Sequence, residues 1–220
     1  MSYSNGPKII NNGLKLYLDA GNSKSYPGSG STWYDLSGNG YNGTLSTITY
    51  SPLNQGYMIF NGTSSYITTT LDSITKVGSM PITIELWINS DSSAPVGIFD
   101  SAPNNQNVLR NYSSGYVEWW NSSPSISLGL SASFWYQLLF VFKFDTNRYI
   151  DYYRNGQLIS TTAGSTTSTF TWTGLRFGDI NLGTAGRYAG KIAIARVYNS
   201  LFSLNDVIQN YNATKGRFNL

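Results

Sequence analysis

ITIELWIN, residues 82–89, is the stretch that decides the fold. Its apolar Ile82, Ile84, Leu86 and Ile88 share one side of an extended chain, with Thr83, Glu85 and Trp87 on the other. A period of two with one apolar side specifies a strand that turns that side to a core. LKLYLDA (14–20) repeats the pattern, with Leu14, Leu16 and Leu18 opposite Lys15, Tyr17 and Asp19. Further strands read at short spacing from YMIFN (57–61), SYITTT (65–70), GYVEWW (115–120), RYIDYY (148–153), QLISTT (157–162), LRFGDI (175–180) and GKIAIARVY (190–198). FWYQLLFVFKF (134–144) carries large apolar residues on both sides as far as Val141, which places it at the centre of a sheet. Asn155-Gly156 supplies the two positive-φ residues that a tight type I′ hairpin demands.

One helix is legible, near the C-terminal end. Ser203 can cap it with Asp206 in support, Leu204, Val207, Ile208 and Tyr211 recur at helical spacing, and Gly216 is placed to end it. After so many strands, a short amphipathic helix is expected to cover one end of a sandwich. Between the first strand and YMIFN runs a long stretch of turn chemistry, GNSKSYPGSGSTWYDLSGNGYNG (21–43). A loop of that length needs anchors, and Trp33 and Tyr34 are the expected ones.

With 220 residues and 40% hydrophobic content, the chain can bury one sizeable core, and one domain over 1–220 is expected, with an N-terminal arm over 1–12 and the helix over 203–216. The charged fraction is 11% and the net charge +3, with lysines and arginines scattered singly, so no basic stripe for nucleic acid forms. There is no cysteine and no histidine. Disulfides, thiolate or imidazole metal sites, Ser-His-Asp triads and Cys-His dyads are excluded together. No segment approaches the roughly 20 apolar residues of a membrane-spanning helix, and MSYSNGPKII lacks the basic start and apolar run of a secretory signal.

Taken in order, GLKLYLDAGNSKSYPGSGSTWYDLSGNGYNGTL, YMIFNGTSSYI, ITIELWIN, FWYQLLFVFKFDTNRYIDYYRNGQLIS, GKIAIARVYN and SLNDVIQNYNATKGRF resemble the concanavalin A-like lectin/glucanase superfamily. More narrowly, they look like the laminin-G-like domains encoded by bacteriophages, often as virion proteins. The resemblance covers nearly the whole chain. It implies an all-β jelly-roll sandwich of two antiparallel sheets, with the Asn155 hairpin and the last long strand in the core. That fold serves hydrolases, lectins and inert packing modules alike.

The glucanases of the superfamily carry a Glu-x-Asp-x-Glu strand, whose alternate carboxylates stand on one face about 5 Å apart for a retaining mechanism. Here none of the eleven carboxylates lies within three residues of another, and Glu85 and Glu118 are alone on their strands. No catalytic residue and no enzymatic activity are expected. YDLSGNGYNGTL (34–45) sets Asp35, Ser37 and Asn39 at the spacing of calcium-loop ligands, but Ser46 stands where the closing bidentate Glu would be. No cofactor and no metal are therefore expected, Asp35 and Asn39 being the only candidates for a low-affinity calcium ion. The reading preferred for this stretch is a turn whose polar side chains bond their own backbone. In FNGTSSYI the resemblance would put aspartates where this chain has Asn61, Ser64 and Ser65.

A sugar site needs a flat aromatic beside convergent amides. Tyr112, Tyr116 and Trp120, with Asn104 and Asn105 in the preceding loop, are the candidates for carbohydrate binding, set against the plain alternative that Trp119 or Trp120 fills the core. The expected role is a non-enzymatic virion structural protein, a capsid decoration or fibre-type module, located in the virion after synthesis in the host cytoplasm. Its partners would be other virion proteins such as the major capsid protein, a further copy of itself, and a host glycan, with no nucleic acid and no membrane insertion. The alternative is a carbohydrate-binding adhesin for host surface glycans.

Overall fold

The computed structural model describes residues 7–71, 74–76, 81–100, 109–110, 115–119, 122–144, 148–164, 170–172, 174–179 and 186–220. Two antiparallel sheets form the body. The first runs Gln157–Gly164, Arg148–Arg154, Trp135–Phe144, Ile82–Ser90, Ala189–Tyr198, Tyr57–Asn61, Thr49–Ser51 from edge to edge. Leu14–Asp19 also pairs with Ala189–Tyr198, so that one long strand is shared along its length between Leu14–Asp19 and Tyr57–Asn61. The second sheet runs Ser122–Ser127, Tyr116–Trp119, Leu109–Arg110, Phe99–Asp100, Arg176–Phe177, Tyr66–Thr69, Gly43–Ser46, Thr32–Trp33. This is the antiparallel sandwich that the alternation of Ile82–Ile88 foretells.

The inner faces meet in one large apolar cluster that includes Leu16, Leu18, Trp33, Ile67, Ile84, Leu86, Phe99, Val117, Phe140 and Phe177. Trp135–Phe144 is flanked by Ile82–Ser90 and Arg148–Arg154, the central position that its two apolar sides require. Asn155 and Gly156 turn the neighbouring hairpin with φ of 51° and 77°. Gly156 also lies against the Tyr211 ring, where a Cβ would come within 3.0 Å of Cδ1.

The C-terminal helix, Leu204–Thr214, has the expected capping box: Asp206 N donates to Ser203 Oγ, and Ser203 N donates to Asp206 Oδ2. Its place differs from the expectation. It covers the outer face of the first sheet rather than an end of the sandwich, because that face is itself apolar. Val207 joins Leu139, Val141, Tyr153, Tyr198 and Phe202, and Tyr211 and Phe218 close over Trp87 and Ile194. Gly216 does not stop the chain. A 3-10 turn, Lys215–Phe218, carries it on until Asn219 takes the left-handed conformation at φ 58°. The extra turn brings Phe218 onto Trp87, with ring centroids 4.3 Å apart and planes within 14°.

The long loop is anchored by Trp33, which is fully buried, but Tyr34 is exposed. Tyr26 takes the second anchoring role, with its ring 4.9 Å from Tyr50 and its hydroxyl donating to Gly30 O. Among the described residues, no helix is long and apolar enough to cross a membrane.

Candidate functional site

Glu85, the carboxylate at the centre of ITIELWIN, is fully buried under the C-terminal helix. Its Oε1 accepts from Gln137 Nε2 at 2.9 Å and from Arg196 Nη1 at 3.0 Å, and its Oε2 accepts from Asn210 Nδ2 at 2.7 Å. Arg196 stands directly opposite on the neighbouring strand, equally buried, with its guanidinium 4.6 Å from the Tyr17 ring centroid. Asn210 receives Ile10 N and so ties the N-terminal segment into the same network. A carboxylate so enclosed fixes a helix to a sheet. Burial opposes the Arg196 charge, yet Glu85 and the surrounding hydroxyls raise its pKa and keep it protonated.

Burial also raises the pKa of Tyr17, Tyr152, Tyr188 and Tyr198 above the usual value near 10. These tyrosines keep their protons in the folded chain at a pH where the unfolded chain loses them. Stability from this source is complete below pH of about 10 and is lost as pH rises through the folded values. Melting temperature is expected to hold level from neutral pH to about 9 and to fall steeply above about 10, with tyrosinate absorbance appearing together with unfolding. Gradual tyrosinate formation ahead of unfolding would contradict the burial.

The loop at Asp35 is held by its own hydrogen bonds. Asp35 Oδ1 accepts from Tyr17 N and Ser37 N, each at 2.9 Å, and Oδ2 accepts from Ser37 Oγ at 2.7 Å and Tyr41 N at 3.0 Å. Asn39 Nδ2 donates to Lys15 O at 3.0 Å and Ser37 Oγ at 2.9 Å. The spacing that mimics a calcium loop thus pins a turn to the first strand. Asn61 works alike: its Oδ1 accepts from the backbone N–H of Thr63, Ser64 and Ser65.

Of the residues read as a sugar site, Tyr112, Trp120, Asn104 and Asn105 lie outside the described residues. Tyr116 is 41% exposed, beside the buried Val117, near one edge of the second sheet.

The structure assembles another array, which the sequence reading missed. Across the second sheet, Thr32, Thr44, Thr68, Arg176, Asp100, Arg110, Glu118 and Ser125 stand opposite one another in successive strand pairs. Their neighbours in sequence, among them Trp33, Ile67, Phe177, Phe99, Val117 and Ile126, belong to the core. Thr32, Thr44, Thr68 and Arg176 in this register row therefore share the outer side of the sheet, with the row's Asp100 buried at 5% exposure. Beside it Tyr66 is half-buried, with Arg176 at 4.7 Å and Arg187 at 5.7 Å from its ring centroid. Asp179 Oδ2 binds both arginines, at 2.9 Å and 3.1 Å. Hydroxyls, guanidinium groups and a tyrosine ring, fixed by ion pairs on a rigid sheet, can hydrogen-bond a ligand rich in hydroxyls or carboxylates. Among the described residues no helix covers this face. The one signal in the sequence was the alternation of Tyr66, Ile67 and Thr68.

A laminin-G model of the concanavalin A-like lectin/glucanases superfamily matches residues 61–208, more than half of the chain. The chain belongs to that superfamily. Comparison with curated protein sequences gives no match. Among solved structures, the binding domain of botulinum neurotoxin DC in complex with rat synaptotagmin II is similar with a TM-score of 0.67 and 16% identity, over 93% of this chain and 52% of that one. The ligand-binding domain of serotype D in complex with N-acetylneuraminic acid gives 0.67 and 16%, over 92% and 51%. Domain 4 of AbnA, an extracellular arabinanase from Geobacillus stearothermophilus, in complex with arabinotriose, gives 0.65 and 16%, over 90% and 98%. The chain thus spans about half the length of these neurotoxin domains. At such identities the likeness establishes the shared sandwich.

Proposed function

We propose that this chain is a non-catalytic glycan-binding module of a bacteriophage particle, acting as a capsid decoration or fibre-type adhesin for host surface glycans. The observation that carries the reading is the row Thr32, Thr44, Thr68 and Arg176 on the outer side of the second sheet, with Tyr66 braced by Arg176 and Arg187. The superfamily supports it, as do the sugar complexes of similar domains. The placement in a virion rests on the resemblance to phage-encoded laminin-G-like domains. Many copies on one particle would make individually low affinities sufficient.

The test is a glycan array probed with multivalently displayed protein, once with calcium and once with chelator. Selective binding in both arms is expected, lost in Tyr66→Ala while the melting temperature of that variant stays near that of the parent. Absence of selective binding by folded, multivalent protein would remove the glycan reading. Binding lost in chelator would instead make calcium part of the site.

Adhesion to other virion proteins, such as the major capsid protein, is a second reading favoured by exposed apolar residues. Leu204 and Ile208 are exposed on the C-terminal helix, Leu201 just before it, and Leu158 and Ile159 on the edge strand. Purified capsids lacking the protein would then take it up in a saturable manner, and Leu204→Asp with Ile208→Asp would abolish uptake.

A further inference from the structure

Asn-Gly recurs along this chain, at Asn5, Asn12, Asn39, Asn42, Asn61 and Asn155. The pair serves turns well, but it is chemically labile, because asparagine is a thermolabile residue and glycine has no Cβ to shield its amide nitrogen. That nitrogen can attack the asparagine Cγ. An N–Cγ bond forms, the Cγ–Nδ2 bond breaks, the amide proton passes through solvent to the leaving nitrogen, and ammonia departs from a five-membered cyclic imide. Water then opens the imide at one carbonyl or the other. The products are aspartate and isoaspartate, the second with one extra carbon in the main chain.

The fold occupies the side-chain amide at most of these positions. Asn61 Oδ1 accepts from Thr63 N, Ser64 N and Ser65 N, and the Gly62 N–H donates to Tyr188 O. Asn42 Oδ1 accepts from Asp35 N and Asn155 Oδ1 from Gln137 N, each at 2.9 Å. Asn39 Nδ2 donates to Lys15 O and Ser37 Oγ. At each of these a hydrogen bond must break before Cγ can swing to the next nitrogen.

Asn12 differs. It is exposed, and neither its side-chain amide nor the Gly13 N–H makes a hydrogen bond among the described residues. Gly13 is itself required by the packing: its φ is 73°, and a Cβ there would come within 2.8 Å of Asn199 Oδ1 and Ser200 Oγ.

The reaction would fall where two bound segments meet. Before the turn, Gln209 Nε2 donates to Lys8 O at 2.7 Å and Ile10 N to Asn210 Oδ1 at 2.8 Å, which ties this segment to the C-terminal helix. After it, Leu14–Asp19 is held by its ladder with Ala189–Tyr198. The turn is clamped from one side, by Ser200 Oγ on Asn12 O at 3.3 Å and Asn199 N on Gly13 O at 2.8 Å. An extra main-chain carbon between these clamps shifts one flank against the other. The ladder is the more cooperative flank, so the hydrogen bonds to the helix give way.

We propose that Asn12 is a site of spontaneous deamidation in the folded protein, and that its isoaspartate product releases residues 8–10 from the C-terminal helix. Neither step depends on the glycan reading. The full chain is aged folded at mildly alkaline pH, and a second sample is aged in urea. Tryptic peptides are then mapped by mass spectrometry with an isoaspartate-specific methyltransferase assay; cleavage after Lys8 separates Asn5 from Asn12. In the folded sample Asn12 is expected to convert roughly two- to tenfold faster than Asn39, Asn42, Asn61 or Asn155, the factor set by one neutral hydrogen bond that must break at those sites. In urea that advantage should vanish. An unconverted Asn12, or an advantage equally large in urea, would overturn the assignment.

Hydrogen exchange tests the release. Residues 8–10 of the aged chain should exchange faster than in fresh protein, with Ile82–Ser90 unchanged. Aged Asn12→Gln, whose longer side chain does not close the five-membered ring, should keep its protection. Fresh Asn12→Asp, which carries the new charge on a normal main chain, should keep it too. The Asn12 side chain is exposed and unbonded, so both variants fold as the parent does. Full protection in chains carrying isoaspartate, or its loss in fresh Asn12→Asp, would overturn the release.

Discussion

Replacing Arg196 with leucine is expected to destabilise the fold by about 3–5 kcal/mol, the usual cost of removing one partner of a buried ion pair. Both side chains of the Arg196–Glu85 pair are fully buried, so no water can replace the lost guanidinium. Glu85 would keep the amides of Gln137 and Asn210 but lose its cation, leaving a charge in a low-dielectric site. Tyr17 would lose the guanidinium over its ring in the same step. At about 2–4 °C per kcal/mol for a chain of this size, the melting temperature should fall by roughly 6–20 °C. Urea unfolding measures the free energy directly. The decisive comparison is the double substitution Arg196→Leu with Glu85→Gln, which removes both charges and leaves one side-chain carbonyl to accept from either Gln137 or Asn210. It should recover more than half of the loss, and simple addition of the two single effects would show that the pair is not coupled.

Phe218→Ala is the second large effect, of about 3–5 kcal/mol for a buried aromatic truncated to a methyl group. Phe218 is 5% exposed, stacked on Trp87 and tilted 4.7 Å from Trp135. Because Phe218 belongs to a single 3-10 turn packed on the sheet, the change should act locally first. The 3-10 turn would loosen, and Arg217 would lose its fixed approach to Asp19. Near-ultraviolet circular dichroism should lose part of its tryptophan signal along with stability. Phe218→Leu, which keeps an apolar side chain in the slot, should cost less. A melting temperature unchanged by Phe218→Ala would show that the C-terminal turn does not clamp the outer face.

The long strands were legible because each carries enough residues for a period of two to show. Ile82–Ser90, Trp135–Phe144 and Ala189–Tyr198 were all readable in this way. So were the Asn155-Gly156 turn and the capping box of Ser203 and Asp206, which depend on chemistry within a few residues. The second sheet was mostly hidden. Thr32–Trp33, Phe99–Asp100 and Leu109–Arg110 are two residues long, too short for any pattern, and are strands only because neighbours complete their ladder, whereas Arg176–Phe177 was read within LRFGDI. The polar row across them was hidden for the same reason.

By itself, then, the sequence determined an antiparallel sandwich with a capped helix, because alternation, turn residues and caps act over short distances. It also determined that no cysteine or histidine chemistry is available. Tertiary structure alone decided which face the helix covers, since Leu139, Val141 and Trp87 look like ordinary strand residues until Val207 and Phe218 lie over them. It alone turned Glu85 from an isolated carboxylate into half of a buried ion pair. It alone placed Asp19 beside Arg217 and Thr68 beside Arg176. Pairings over a hundred or more residues depend on how strands order and helices dock, and no local pattern records that order.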